Sequence, residues 1–217
     1  MARLSKRLQV ALSFLHGAHY LADIGCDHGY LPIEAIKMNI VKKAIASDNK
    51  LEPYLKAKTN IEVENLSHLI ETRHQDGIVD LPPSVDAISI LGMGGEVIVQ
   101  ILEKGNLDNV SILVLGPNSE AKQVRYFLQM NHYQIDDEAF IKDHGHYYQI
   151  IKAIKGTMHL NPLEMVYGPL NIQRQTKELL EFISLEIEKL SKSIVHATEE
   201  SKMELLSKIN EMRGVFK

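Results

Sequence analysis

One cysteine in 217 residues, Cys26, leaves no partner for an internal disulfide. That suits a reducing compartment, and the cytoplasm is the expected location. No apolar run approaches the roughly 20 residues of a bilayer-spanning helix, so no membrane role is expected. The basic start, Met1 to Arg7, leads into Leu8 to Leu15, a stretch that is short, carries Gln9 and Ser13, and lacks a small-residue cleavage site. It reads as an N-terminal helix of the mature protein and not as a signal peptide. An excess of positive charge is missing too. The formal net charge of −4 supplies no global attraction to nucleic acid, which leaves any phosphate contacts to a local patch. Internal repeats and low-complexity tracts are absent. So is the Gly-x-Gly-x-x-Gly fingerprint that brings a pyrophosphate onto a helix N-terminus.

What is there has ordinary globular proportions, 45% hydrophobic and 24% charged residues, enough for one α/β domain and a small appendage. The chain is organised around Leu21-Ala22-Asp23-Ile24-Gly25-Cys26-Asp27-His28-Gly29-Tyr30-Leu31-Pro32, an apolar strand that runs into an acidic, glycine-punctuated turn and then an amphipathic helix. Gly25 and Gly29 let the backbone turn sharply and lie close to a ligand. Asp23 and Asp27 put carboxylates where a phosphate-binding loop carries none, so the expected ligand is cationic or phosphate-free. S-adenosylmethionine, with an ammonium, a sulfonium and no phosphate, meets that demand. Cys26 has no flanking cation to lower its thiol pKa and is read as a small residue packed beneath the ligand, not as a nucleophile.

The remaining segments read as a sheet built around that turn. Leu4, Leu8, Ala11, Leu12 and Leu15 share one helical face, which directs Arg3, Lys6 and Arg7 outward, able to meet RNA phosphates if they border the cleft. Further strands are expected at about Lys43 to Ser47, Ile70 to Gln75, Val85 to Leu91 and Ser111 to Leu115. Asp48, 23 residues after Gly25, stands where a carboxylate accepts both ribose hydroxyls of a nucleoside cofactor; the alternative is an N-cap for a helix from Leu51 to Glu64. Asp76-Gly77 follows the third strand, at the place for an adenine edge, although the pair is also a common turn. Gly92-Met93-Gly94-Gly95 lets the backbone approach a flat substrate closely. Asn118 or Ser119 is the expected cap of a helix over 120–130. Tyr133 to Phe140 and Tyr147 to Ile154 look like an antiparallel hairpin. His144 and His146 lie in its turn without further ligand partners, so no metal site is expected. Five βα units closed by a hairpin give the expected fold, an α/β, Rossmann-like class I methyltransferase sheet of seven strands.

After Gly156 the character changes. Residues 1–160 are expected to form an S-adenosylmethionine-binding domain and 161–217 a C-terminal antiparallel helical hairpin or coiled coil. Asn161 to Pro169 reads as a linker. Ile172, Leu179, Ile183, Ile187, Leu190 and Ile194 then form one stripe, and Met203, Leu206 and Ile209 another on a helix from Thr198 to Met212. With 8 basic against 9 acidic residues, this part is no simple basic arm.

Leu4-Ser5-Lys6-Arg7-Leu8, the stretch from Ala22 to Pro32, Gly92-Met93-Gly94-Gly95, Pro117-Asn118 and Tyr147-Tyr148-Gln149-Ile150-Ile151 together resemble the bacterial tRNA adenine-N1 methyltransferases of the TrmK type. The likeness runs from the N-terminus to the helical hairpin. It implies methyl transfer from S-adenosylmethionine to N1 of adenine 22 in tRNA, with the coiled coil assisting tRNA recognition. It departs at two places, where the family pattern has a glutamine before Pro117 and an alanine-like residue at position 29, and this chain has Gly116 and Gly29. The expected partner is a tRNA, not DNA or a membrane, and the expected state is a monomer.

Residue roles follow from the two lines together. Asp23 is assigned to the methionine ammonium, Asp48 to the ribose, and Asp76 and Gly77 to the adenine, with Asn49 a further cofactor-binding residue. Gly25, Cys26, Asp27, His28, Gly29, Gly92 and Met93 complete the cofactor site, and Gly94 and Gly95 with Arg3, Lys6 and Arg7 meet the substrate. N1 of neutral adenine carries its own lone pair, so alignment matters more than activation. Asp27 is the candidate to stabilise the cationic product ring or to accept a proton from its amine, with His28 and Asn118 as orienting groups. No Asn-Pro-Pro-Tyr stretch follows the fourth strand, which argues against attack by an exocyclic amine. The rival readings are a nicotinamide oxidoreductase and a non-catalytic RNA-binding protein that keeps the fold.

Overall fold

The computed structural model describes residues 4–195 and 197–216, so Arg3 lies outside the described residues. Seven strands form: β1 (Tyr20–Ile24), β2 (Lys43–Asp48), β3 (Ile70–His74), β4 (Ala87–Leu91), β5 (Ile112–Gly116), β6 (Tyr133–Asp143) and β7 (His146–Lys155). They make one sheet in the order β3-β2-β1-β4-β5-β7-β6. β1 to β5 are parallel, and β7 runs antiparallel to both of its neighbours. This is the Rossmann-like sheet that the sequence predicts.

The inner strands read as continuous apolar runs because helices cover both faces. On one face lie α1 (Lys6–Phe14), α2 (Tyr30–Lys37) and α3 (Leu51–Val63), which pack on Leu21, Ala44 and Ala87. On the other lie α4 (Gly95–Glu103) and α5 (Ala121–Met130), packed on Ala22, Ile24, Ile88 and Ile90. β6 and β7 run further than the apolar pattern suggests. They are joined by His144-Gly145, whose φ angles of 46° and 84° are the paired left-handed values of a two-residue type I′ turn.

Two local expectations change. The start of α5 has Glu120 as its cap residue, in the left-handed region and with no side-chain cap bond. Asn118 is unavailable because its side-chain amide donates to the Gly92 carbonyl at 2.7 Å, and Ser119 bridges to Gly94. The expected linker is instead two short helices, α6 (Pro162–Tyr167) and α7 (Pro169–Arg174). Asn161 and Glu164 form a capping box at the first, and each helix starts on a proline whose missing N–H costs nothing there.

α8 (Lys177–Ile194) and α9 (Glu199–Arg213) then form the C-terminal hairpin, and the Gln175 side chain closes its base on the Val215 carbonyl. Leu179 and Ile183 are buried, with Ile187 and Leu190 packed beside them, while Ile172 belongs to α7. The α9 stripe is displaced toward the C-terminus. Ile209, Met212 and Val215 are buried, whereas Met203 and Leu206 are 71% and 46% exposed. Packing is concentrated at the hairpin base, where Phe140 of β6 and Tyr167 of α6 complete the cluster.

A fully buried ion pair holds these helices to the sheet. Arg125 of α5 donates to Glu138 of β6 and to Gln149, both at 2.8 Å, and to the carbonyls of Met165 and Val166. The second Glu138 oxygen accepts the free amides of Leu170 and Asn171 in the first turn of α7. Gly168 must lack a side chain, because a Cβ would strike the Glu138 carboxylate. Glu138→Ala strands a buried guanidinium and is expected to cost about 3–5 kcal/mol. In urea denaturation the midpoint falls with an unchanged slope; an unaltered midpoint contradicts this anchoring role.

Candidate active site

β1 lies between β2 and β4, and the chain leaves it in one direction and returns on the other side. Ile24 is level with Ser47 and with Ile90, so the loops after all three strands open at one point of the carboxyl edge, the usual site of ligand binding in such sheets. The first turn is pinned there by the amides of Gly25 and Cys26, which both donate to the Ser47 carbonyl, at 2.8 and 3.0 Å. Gly25 and Gly29 have φ of 71° and 70°, a region that costs glycine nothing. The 92–95 turn is pinned in the same way by the Asn118 amide on the Met93 carbonyl, at 2.8 Å.

Three carboxylates line the resulting cavity of about 320 Å³. Asp23 is buried and level with Ser89, whose hydroxyl donates to it at 2.6 Å. Burial pushes its carboxyl up to about 7, against the lowering effect of the Ser89 bond and with Asp48 adding to the rise. Asp48 is buried too and accepts the amides of Asp27 at 3.2 Å and Lys50 at 3.0 Å. The cap residue of α3 is Lys50, so Asp48 is not the N-cap that its position also allowed. Asp27 has a left-handed backbone, with its side chain 68% exposed and 3.6 Å from His28 Nε2. His28 in turn stacks on Tyr30. Burial, reinforced by Asp23 and Asp48, holds the Cys26 thiol far above its ordinary range, which makes it a packed group and a poor nucleophile.

A second cavity, of about 430 Å³, continues past Gly25, Asn49, Lys50 and Met93 to Asp76, Gly77, Val97 and Ile101. Asn49 donates to Asp76 at 3.1 Å and ties the two loops together. Met93 lies across Gly25, where a Cβ would collide with its methyl group. Both volumes fall in the range of small-molecule sites.

Most of the expected residues meet here, and a few do not. Arg7 reaches the first cavity, whereas Lys6 turns away and pairs with Glu178 of α8 at 3.5 Å. One helical step separates the two side chains by about 100°. Gly95 is buried as a packing glycine, since a Cβ would strike the Glu120 carbonyl, and Asn118 holds the Gly92 turn from behind. Gly116 is likewise a packing position, where a Cβ would come within 2.8 Å of Leu91. Sequence reading missed Lys50, Tyr30, Val97 and Ile101. The last two were signalled by their i, i+4 spacing just after the glycine turn. Among the described residues no cluster fit to hold a metal occurs, and no helix is long and apolar enough to cross a membrane.

The family model for tRNA (adenine(22)-N(1))-methyltransferase matches residues 21–214. The chain belongs to this family. Within it, the tRNA (adenine(22)-N(1))-methyltransferase of Bacillus subtilis is 37% identical over 157 residues, which are 71% of this chain and 66% of that protein. The crystal structure of Streptococcus pneumoniae Sp1610 superposes with a TM-score of 0.95 at 32% identity, covering 99% of this chain and 100% of that one. M. capricolum TrmK, solved with S-adenosylhomocysteine, superposes with a TM-score of 0.88 at 28% identity over 99% of both chains.

For a member of this family, the buried Asp23 carries a stability cost. Burial pushes its carboxyl up to about 7 in the folded protein, from the ordinary aspartate value of about 4 in the unfolded chain, so between those values the folded state keeps a proton that the unfolded state has released. The stability it contributes is complete below about pH 4 and is lost as pH rises through 7. Asp23→Asn removes this loss. Thermal melts of the ligand-free protein should show the variant more stable than the parent at pH 8, by about 2–4 °C per kcal/mol, with the gap closing near pH 4. Equal pH dependence of the two proteins would contradict the assignment.

Proposed function

We propose that this chain transfers the methyl group of S-adenosylmethionine to N1 of adenine 22 in tRNA. The observation that carries the reading is the acidic floor of the cleft. Asp23, Asp27 and Asp48 would repel a pyrophosphate and attract an ammonium and a sulfonium, which disfavours a nicotinamide dinucleotide and fits S-adenosylmethionine. Asp23, buried with one hydroxyl as its partner, is a carboxyl suited to a cationic ligand. When bound, the cofactor supplies a methyl group on a positively charged sulfur.

The chain's own residues divide the work. Asp23 would hold the methionine ammonium, and Asp48 the ribose hydroxyls, held in place by the amides of Asp27 and Lys50. Asp76, Asn49, Val97 and Ile101 line the adenosine end. Asp27, exposed at the rim, is the group that meets positive charge developing on the target adenine, with His28 beside it. Asn118 acts as a positioning residue through the Gly92 carbonyl. We assign residues 1–160 to catalysis and 161–217 to a helical module that assists tRNA recognition. The unpaired Cys26 and the tRNA substrate are in keeping with a monomer acting in the cytoplasm on RNA and not on DNA.

Methyl transfer from labelled S-adenosylmethionine to unmodified tRNA tests the reaction. A transcript with adenine 22 should yield 1-methyladenosine and one with guanine 22 should not; incorporation indifferent to that base contradicts the target. Asp27→Asn should slow single-turnover transfer by roughly 10²-fold or more with the Kd for S-adenosylhomocysteine within about threefold. An unchanged rate would remove Asp27 from the chemistry.

A further inference from the structure

Beside the acidic cavity lies a groove of different character, about 580 Å³ between the start of α2 and the first turns of α3. His28 and Tyr30 line both, so one aromatic pair forms the partition. Their rings stack, with centroids 5.2 Å apart and planes 14° from parallel. Asn60 of α3 braces the partition by donating to the His28 carbonyl at 2.9 Å. Gly29 lets α3 come that close, because a Cβ there would stand 3.3 Å from the Ala57 Cβ. The rest of the groove is apolar and open. Tyr30, Leu51 and Leu55 are all exposed, and large apolar side chains gathered on one patch mark a place of interaction. The charges on this stretch of α3, Glu52 and Lys56, pair with each other at 2.8 Å and leave the groove little attraction for a phosphate.

We propose that this groove binds an unpaired nucleobase of the tRNA, one that flanks the adenine to be methylated, with Tyr30 as its stacking surface. This rests on the reading of the cleft as a tRNA adenine-N1 methyltransferase site. N1 lies on the pairing edge of adenine, so the target base has to leave its pair and its stack to reach the methyl donor. Its neighbour in the strand then loses a stacking partner. An aromatic face next to the cleft replaces that partner, and it tolerates any base because every base has a π-face. Continuity with the cavity selects this occupant. The groove shares its aromatic wall with the cavity that holds Asp27, the group placed to meet the target ring, and the next nucleotide in the strand is the part of the substrate held nearest to that ring. An apolar interior with its charges paired suits a base, while the phosphates fall to basic groups elsewhere. A second apolar groove, with Tyr126 and Met130 of α5, shares no residue with either cofactor cavity and has no such tie to the reaction.

Methyl transfer to three transcripts at saturating S-adenosylmethionine tests this: the intact tRNA, one with an abasic site at position 21, and one with an abasic site at 23. Tyr30→Leu should lower kcat/KM for the intact tRNA by roughly 5- to 100-fold, and Tyr30→Phe, which keeps the π-face, should restore it. On one of the two abasic transcripts the parent should already be impaired, and there Tyr30→Leu should add no more than about twofold, since the contact it removes is already gone. The Kd for S-adenosylhomocysteine should stay within about threefold, and the salt dependence of tRNA binding should keep its slope, because no phosphate contact is lost. Leu55→Ser, at a position outside both cofactor cavities, should show the same pattern and reads it if Tyr30→Leu does not fold. The proposal is overturned if both variants methylate the intact tRNA as well as the parent, which leaves the groove to a protein partner, or if their losses are equal on all three transcripts. Failure of the unaltered protein to methylate any tRNA would count against the methyltransferase reading itself, and the groove assignment would fall with it.

Discussion

Everything at the site depends on the place of β1 between β2 and β4. Because Ile24 is level with both Ser47 and Ile90, three loops from distant parts of the sequence open at one point, and the Ser47 carbonyl binds the first of them directly. The register also sets Asp23 beside Ser89, which gives the buried carboxyl its one hydroxyl partner. A one-residue slip of β1 would turn Asp23 to the other face of the sheet and dissolve the site. The long-range bonds from Asp48 to Asp27 and from Asn118 to Gly92 then fix the loops that the strands have brought together.

Function here is held at the expense of stability. A carboxyl buried at the centre of the sheet, with the charge of Asp48 acting on it, is a poor choice for a folded protein and a good one for a cation. The cost is offset elsewhere, in the two apolar layers and in the Arg125–Glu138 pair, which joins α5, β6 and α7 in one buried network. That network also sets where the helical hairpin leaves the sheet. The part proposed to assist tRNA recognition is therefore positioned by the same strand pair that completes the sheet.

The strands, the hairpin and the acidic glycine turn were legible because each leaves a local mark: continuous apolar runs, alternation, and glycines at 25, 29 and 92 that take positive φ. Asp48 was legible by spacing from Gly25. What stayed hidden depends on direction or on distant partners. Lys6 and Arg7 are adjacent and both basic, and only the docking of α1 decides that one meets Glu178 and the other the cleft. Gly95 looked like a ligand contact in a run of glycines, but the Glu120 carbonyl 25 residues away explains it. The prolines at 162 and 169 read as punctuation, although a proline at the first helical position begins a helix as readily as it ends one. Met203 and Leu206 follow helical spacing, yet both stay exposed, because burial is a property of the neighbours as much as of the pattern.

The central claim is that the cleft accepts a phosphate-free, cationic nucleoside and not a dinucleotide. Equilibrium titration of the unaltered protein with S-adenosylmethionine and with NADH, repeated on Asp48→Ala, tests it most directly. The account predicts one-to-one binding of S-adenosylmethionine that Asp48→Ala weakens sharply, and no binding of NADH. Saturable NADH binding without S-adenosylmethionine binding would contradict it.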